Sequence, residues 1–343
     1  MAHELATFTD ATGQEQHCCL SVRKLPWHRL GTVIPEPVSP AEALRLAGLM
    51  WSVESQPLYT ADLRPVPQHY RALVRSDTHA VLGLATDAYT VVQNHEVASF
   101  LDQLVAEGGA QIETAGAVRG GALVWMLARM PGELRIQDDV SYPYLLISAG
   151  HDARRPVQIA PVLTRPVCAN TLAMADAEIR SRRGSEHRLA AGFRIRHTSG
   201  AKAALDDVAA AYRGARESLR ITQQAADRLA AVPLSNQRWA ALIAAAFAGE
   251  DAPTESQRAE SIRAARLAVL NEIVQSNTCM VRGTANSLWS GVQAIGQFVD
   301  HNRRTKTSED GGSADEQRLI SATWGSGALI KSRTWGTALA LAS

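Results

Sequence analysis

Residues 111–130 read QIETAGAVRGGALVWMLARM. Two apolar runs flank Arg119–Gly120–Gly121. Glycines at the centre of such a stretch supply the positive φ that a tight turn needs, so the spacing predicts an antiparallel β-hairpin.

Working outward, the same pattern recurs. HYRALVRSDTHAVLGLAT (residues 69–86) contains two strand-like runs around Ser76–Asp77, a second hairpin. YPYLLISAGHD and PVQIAPVLTRPVCANTL suggest two more strands joined at GHDARRP, and HRLAAGFRIRH a last one. In that last run Phe193 and Ile195 face one way and Arg194 and Arg196 the other. Tyr89–Val92 is strand-like as well. Helices punctuate the strands. Ser39–Pro40 supplies a cap and a first-turn proline, with Leu44, Ala47 and Trp51 at helical spacing. Asn94 is the expected cap of a helix carrying Val97, Phe100, Leu101 and Leu104, stopped at Gly108–Gly109.

Beyond Gly200 the chain reads as helical. AKAALDDVAAAYRGARESLRITQQAADRLAAV places Leu205, Val208, Tyr212, Leu219 and Leu229 near one face. Three more helices follow, over NQRWAALIAAAFAG, TESQRAESIRAARLAVLNEIVQ (with a Thr254…Gln257 capping box) and ANSLWSGVQAIGQFVDHNRR. TKTSEDGGSADE is a polar loop, and the final segment is helical but broken near Gly325–Gly327. The expected fold class is α+β: a hairpin-rich N-terminal half with packed helices, then a mainly helical C-terminal half. Residues 1–24 are expected as a flexible lead-in, 25–199 as the strand-rich core, and 200–343 as the helical region, with a flexible loop near 305–315.

The 343 residues carry a net charge of +1, so the protein as a whole is no polycation. Its 31 arginines against four lysines fit a GC-rich coding sequence. Charge is nonetheless segregated. Between Ala153 and His197 lie nine arginines, three acids and no lysine: Arg154, Arg155, Arg165, Arg180, Arg182, Arg183, Arg188, Arg194 and Arg196. Guanidinium groups on a hairpin face would make a groove for a phosphate backbone. The alternative is a solvated face balanced by acids such as Asp206–Asp207. Aromatic residues make up only 5%. Tyr142, Tyr144 and Phe193 could stack on bases, or serve the core. Trp27–His28 could do the same, or anchor Trp27 in the core.

Catalytic patterns are thin. Cys168, His151 and Asn170 are the residue types of a thiol hydrolase, but RPVCANTL contains no nucleophile elbow. His17, Cys18 and Cys19 are adjacent and cannot readily close a tetrahedron around a metal. RGGALVW lacks the Lys-Ser/Thr of a nucleotide loop. Asp138–Asp139 read as a solvated turn. Arg303, Arg304 and Lys306 follow a helix C-terminus and complement its dipole, or make a second phosphate contact. Lys331 and Arg333 sit on the last helix. Neither cofactor nor metal is expected. Four cysteines in a chain of this size point to a reducing, cytoplasmic setting. The N-terminus carries no signal-peptide pattern, and no apolar run is long enough to span a membrane.

Four segments in order carry a resemblance: PWHRLGT (Pro26–Thr32), Arg75–Asn94, SAGHDARRPVQIAPVLTRPVCANTL (Ser148–Leu172), and SLWSGVQAIGQFVDH with GSGALIKSRTWGTAL. Together they resemble the phage/plasmid-like family of uncharacterised proteins with a Trp-x-x-Leu-Gly-Thr opening. Where such proteins commonly have Asn-Ser-His-Asp-Gly, this chain has Ile-Ser-Ala-Gly-His-Asp-Ala. More faintly, the organisation is similar to ring-forming single-strand annealing proteins. The resemblance implies a mobile-element setting and, by the fainter likeness, a homo-oligomeric ring or filament. The resulting expectation is a non-catalytic, sequence-independent binder of single-stranded DNA. The competing readings are a structural or anti-defence protein that binds a host protein, and a cysteine-dependent enzyme.

Overall fold

A computed structural model of the chain describes residues 5–10, 12–23, 31–66, 69–164, 193–201, 203, 208–248, 250, 256–303, 317, 321–322 and 325–343. The hairpin of residues 111–130 is present. Strand β8 (Gln111–Val118) pairs antiparallel with β9 (Leu123–Arg129), closed by a single 3-10 turn at Arg119–Gly121. Gly120 and Gly121 adopt φ of 63° and 105°, the left-handed conformations their positions called for.

The hairpin sits inside the main sheet. Among the described residues the sheet order is β13 (Phe193–Ile195), β12 (Val157–Thr164), β11 (Asp139–Gly150), β9, β8, β3 (Cys19–Val22) and β4 (Thr32–Ile34), and β10 (Leu134–Ile136) pairs with β11. All pairs are antiparallel except β3–β4. The continuous apolar run of β9 is explained by burial on two faces. Val124, Met126 and Ala128 enter one core, and Leu123, Trp125 and Leu127 enter a cluster on the other side. Strand β11 divides the same way, with Leu145, Ile147 and Ala149 on one face and Tyr144 and Leu146 on the other.

Helices α1 (Pro40–Leu46) and α2 (Asn94–Gly108) cover the first face through Ala43, Leu44, Val97, Phe100, Leu101 and Leu104. Ser39 caps α1 by accepting from the Glu42 N–H at 3.2 Å, a contact worth about 1 kcal/mol. A separate sheet of β5 (Val53–Pro57), β6 (Tyr70–Arg75) and β7 (Val81–Thr86) packs alongside. At Gly83 it meets the loop after β11 so closely that an added Cβ would lie 2.7 Å from the Asp152 backbone.

The helical half comprises α3 (Val208–Ala231), α4 (Asn236–Phe247), α5 (Gln257–Val274), α6 (Leu288–Gln297), a π-helical turn at Phe298–Asn302, and α7 (Ser326–Leu341). Its core is built on Leu242, Phe247, Leu270, Trp289, Ile295 and Trp335. Two residues from the strand-rich half, Leu134 and Ile136 of β10, belong to it. Helix α3 serves both cores, giving Ala215 to the first and Ala225, Ala226 and Leu229 to the second.

Several sequence expectations are corrected. Residues 5–22, expected as part of a flexible lead-in, form β1 (Thr7–Thr9), β2 (Glu15–His17) and β3, with Leu5, Cys18, Cys19 and Leu20 buried. The burial is two-sided: Ala6, Cys18 and Leu20 enter the core on one face of the sheet, and Leu5 and Cys19 the cluster on the other. Tyr89–Val92 forms no strand. The cap of α2 is Gln93, which forms a capping box with Glu96; Asn94 is buried instead. Ser256 caps α5, and Thr254 lies outside the described residues. Asp139 is not solvated: it is 1% exposed and accepts from the Trp289 indole N–H at 2.8 Å, joining the sheet to α6. Asp138 does face solvent, 3.8 Å from Arg282. Lys331 is buried and ion-paired with Asp300. Arg303 donates to Glu250, Ser321 and Ser326 rather than simply facing a helix end. The loop near 305–315 lies outside the described residues.

Candidate functional site

The β11–β12 hairpin ends in Gly150–Pro156, the segment holding the first two arginines of the cluster. Its shape is set locally. The Asp152 carboxylate accepts the backbone N–H groups of Arg154 (2.9 Å) and Arg155 (3.2 Å), while Ala153 takes a left-handed φ of 58°. The Asp152 charge is thereby engaged in folding the loop.

His151 fixes where the loop begins. It is fully buried; its backbone N–H donates to Ala122 O at 2.8 Å, and its ring Nε2 lies 2.9 Å from Asn94 Oδ1. The Asn94 amide nitrogen donates to Leu49 O (3.1 Å) and Trp51 O (3.3 Å), which leaves its oxygen as an acceptor. Nε2 of His151 must therefore carry the proton. Burial pushes the His151 pKa down to about 3, so the ring is neutral. Trp51 packs edge-on against it at 5.5 Å and stacks its own face under the buried Arg75 guanidinium at 4.6 Å. Arg75 in turn binds Asp77, Gly120 O and Thr7 O. A chain of buried polar groups thus runs from the β8–β9 turn to the basic loop.

Strand β13 brings the second pair of arginines. It pairs with β12 through Val157↔Ile195 and Gln158↔Arg194. Alternation exposes Arg194 and Arg196 and buries Ile195 and His197. His197 exchanges contacts with Thr90: its Nδ1 lies 3.1 Å from Thr90 O, and its carbonyl accepts the Thr90 N–H at 3.0 Å. Its ring stacks on Tyr89 with centroids 4.6 Å apart, and Tyr89 Oη donates to Gly150 O at 3.0 Å. Burial raises the Tyr89 pKa and lowers that of His197.

These pieces enclose a cavity of about 470 Å³ lined by Tyr89, Arg154, Arg155, Arg194, Arg196 and His197 among others. Four of the nine arginines singled out by sequence therefore share one pocket. Arg165, Arg180, Arg182, Arg183 and Arg188 lie outside the described residues, as do Trp27, His28, Cys168, Asn170, Asp206 and Asp207. Among the described residues no ion pair engages Arg154, Arg194 or Arg196, whereas Arg45, Arg64, Arg129, Arg135 and Arg220 each hold a carboxylate. Arginine stays charged at any physiological pH, so the pocket is a permanent cation.

Tyr89 and His197 were missed as site residues. The inward step of Ile195–Arg196–His197 was the available signal for His197; nothing local marks Tyr89. Of the proposed stacking rings, Tyr144 is buried and donates to Glu113 at 2.6 Å, and Tyr142 lies under Arg129 at 4.1 Å. The side chain of Phe193 lies outside the described residues. Cys18 and Cys19 are buried, and desolvation lifts their thiols to about 11 and about 12. No helix among the described residues is long and apolar enough to cross a membrane.

The fold and pocket define an α+β protein with a strongly basic cavity at the β12–β13 edge of its main sheet. Over residues 81–324 the chain matches a family described as Domain of unknown function (DUF932), and it belongs to that family. The matched span contains every lining residue of the pocket but excludes Trp51 and Arg75 behind it. No curated protein and no solved structure matches the chain.

Proposed function

We propose that the protein binds single-stranded nucleic acid through its phosphates, in the manner of a strand-annealing protein of a phage, plasmid or integrative element. The supporting observation is the convergence of Arg154, Arg155, Arg194 and Arg196 on one cavity, with no carboxylate partner for Arg154, Arg194 or Arg196 among the described residues. Phosphate contacts of this kind carry no base information, so binding is sequence-independent. The setting in a mobile element, and assembly into a ring or filament, rest on the resemblance of the four sequence segments.

Fluorescence anisotropy with a labelled 30-nucleotide oligo-dT, titrated between 50 and 200 mM salt, tests the reading. Each phosphate contact to a single strand contributes roughly 0.7 to the slope of log affinity against log salt. Replacing Arg154, Arg194 and Arg196 together by alanine is expected to flatten that slope by about 2. Binding that is absent at 50 mM salt, or insensitive to salt, overturns the proposal.

A further inference from the structure

The arginine cavity, at about 470 Å³, has the volume of a small-ligand site. Two short segments wall it together with Tyr89: residues 153–156 after β11, and residues 194–198, which begin in β13. No acid is among the lining residues. The acid nearest in sequence, Asp152, has its carboxylate turned to the backbone N–H groups of Arg154 and Arg155. Arg154, Arg194 and Arg196 therefore bring three positive charges with no ion-pair partner among the described residues, and Arg155 brings a fourth.

His197 adds a second, independent feature to that wall. Thr90 O can only accept, so His197 Nδ1, 3.1 Å away, carries the ring proton. Nε2 of the neutral ring is then a lone pair that wants a donor. The residue is 7% exposed, and this atom makes no hydrogen bond among the described residues. Burial holds the His197 pKa below its ordinary value, against the backbones of Thr90 and Arg155 and the Asp152 charge, which favour the protonated ring. Tyr89 stacked on it and His151 nearby are both neutral. An anion in the cavity completes the ring in one of two ways. It donates its own proton to Nε2, or it stabilises the imidazolium, whose Nε2–H donates to it. A phosphate monoester can do either, because its second ionisation falls near pH 6. A backbone diester has no proton to give.

We infer that the arginine cavity receives a terminal phosphate monoester, the phosphorylated end of a single strand, with His197 Nε2 and the phosphate sharing one proton. This inference rests on the proposed function and says which phosphate the pocket holds. A monoester carries a charge of about −2 and three outer oxygens for the guanidinium groups, where a diester carries a single charge and two. It is also tethered on one side only, which suits a cavity of small-ligand size. At pH 8 the dianion and the neutral ring take up one proton from solvent as they meet, and no bond to phosphorus forms or breaks.

The test measures the full chain by anisotropy on internally labelled 20-nucleotide oligo-dT probes that differ only at their ends: hydroxyl at both, a 5′-phosphate, a 3′-phosphate, and each phosphate capped as its methyl diester. One phosphorylated end is expected to bind at least tenfold more tightly than the hydroxyl-ended probe, and the methyl cap to remove most of that gain. The gain is expected to grow as pH falls from 8 to 6.5, because the complex holds a proton that the separate partners lack. His197→Asn keeps an N–H for Thr90 O and drops Nε2; with folding confirmed by a circular-dichroism melt, it should lose the growth with pH. Equal affinity for phosphorylated and hydroxyl ends, or a gain that survives the cap, overturns the inference and leaves backbone binding standing. Equal affinity together with displacement of the probe by free thymidine 5′-monophosphate assigns the pocket to free nucleotides and overturns it as well. A gain that does not change with pH in the wild type overturns the proton shared with His197. Failure to bind any probe overturns this inference and the proposed function together.

Discussion

Asn94 is the most exacting place to perturb this molecule. Its side chain is 2% exposed and holds three groups at once: Leu49 O, Trp51 O and His151 Nε2. Asn94→Ala takes a donor from two carbonyls and removes the one hydrogen bond the His151 ring makes among the described residues, where its Nδ1 has no partner. Each buried polar group left unsatisfied costs about 1–3 kcal/mol, so the three together predict a loss of about 3 kcal/mol or more. Urea denaturation reads this as a lower midpoint with an unchanged slope. Asn94→Asp sharpens the test. The carboxylate still accepts from His151 but cannot donate to the two carbonyls, and it adds a buried charge, so it should be no milder than alanine. If either variant loses less than about 1 kcal/mol, the buried polar chain is not what anchors the basic loop.

Two further outcomes follow from the same region. His151 has a folded pKa of about 3 against an ordinary 6.5, so below pH 6.5 the unfolded chain takes up a proton that the native ring refuses. Stability is therefore intact above pH 6.5 and falls on acidification by up to about 1.4 kcal/mol per pH unit, levelling near pH 3. His197, shifted in the same direction by burial, adds to the decline. Urea midpoints at pH 7.5 and 5.5 measure it, and His151→Gln should shrink the difference; an unchanged difference refutes the assignment. Gly83→Ala places a methyl 2.7 Å from the Asp152 backbone and must push the loop aside. Overpacking of this kind costs about 1–3 kcal/mol, and several-fold weaker oligo-dT binding should accompany it, measured by anisotropy. Wild-type affinity in that variant would show that the loop's position is irrelevant to binding.

The hairpins were legible because turn chemistry and two-sided burial leave local marks. Gly120–Gly121 announced one turn; the place of β9 in mid-sheet emerged only from the strand order. The exposed–buried alternation around Ile195 placed Arg194 and Arg196 outward correctly. Long-range polar partnerships left no such mark. Asp139 beside Asp138 looks like a solvated turn until Trp289, 150 residues away, is seen to donate to it. Asn94 looks like a helix cap because asparagine caps helices well, yet Gln93 caps this one, since Asn94 is drawn inward by His151. Residues 5–22 read as polar lead-in because their apolar runs are short and their partner strand β8 lies some hundred positions on. The convergence of Arg154–Arg155 with Arg194–Arg196 depends on β12 pairing with β13, a fact of tertiary structure that arginine counting could only suggest.

Helix α3 belongs to two cores, and that has a bearing on how the chain can change over time. Each residue inserted into an α-helix turns everything after it by about 100°. A one-residue gain or loss between Ala215 and Ala225 would aim either Ala215 or the Ala225–Ala226–Leu229 group at solvent. Drift in length should therefore collect in the segments joining elements, while the span between those alanines keeps its register across descendants.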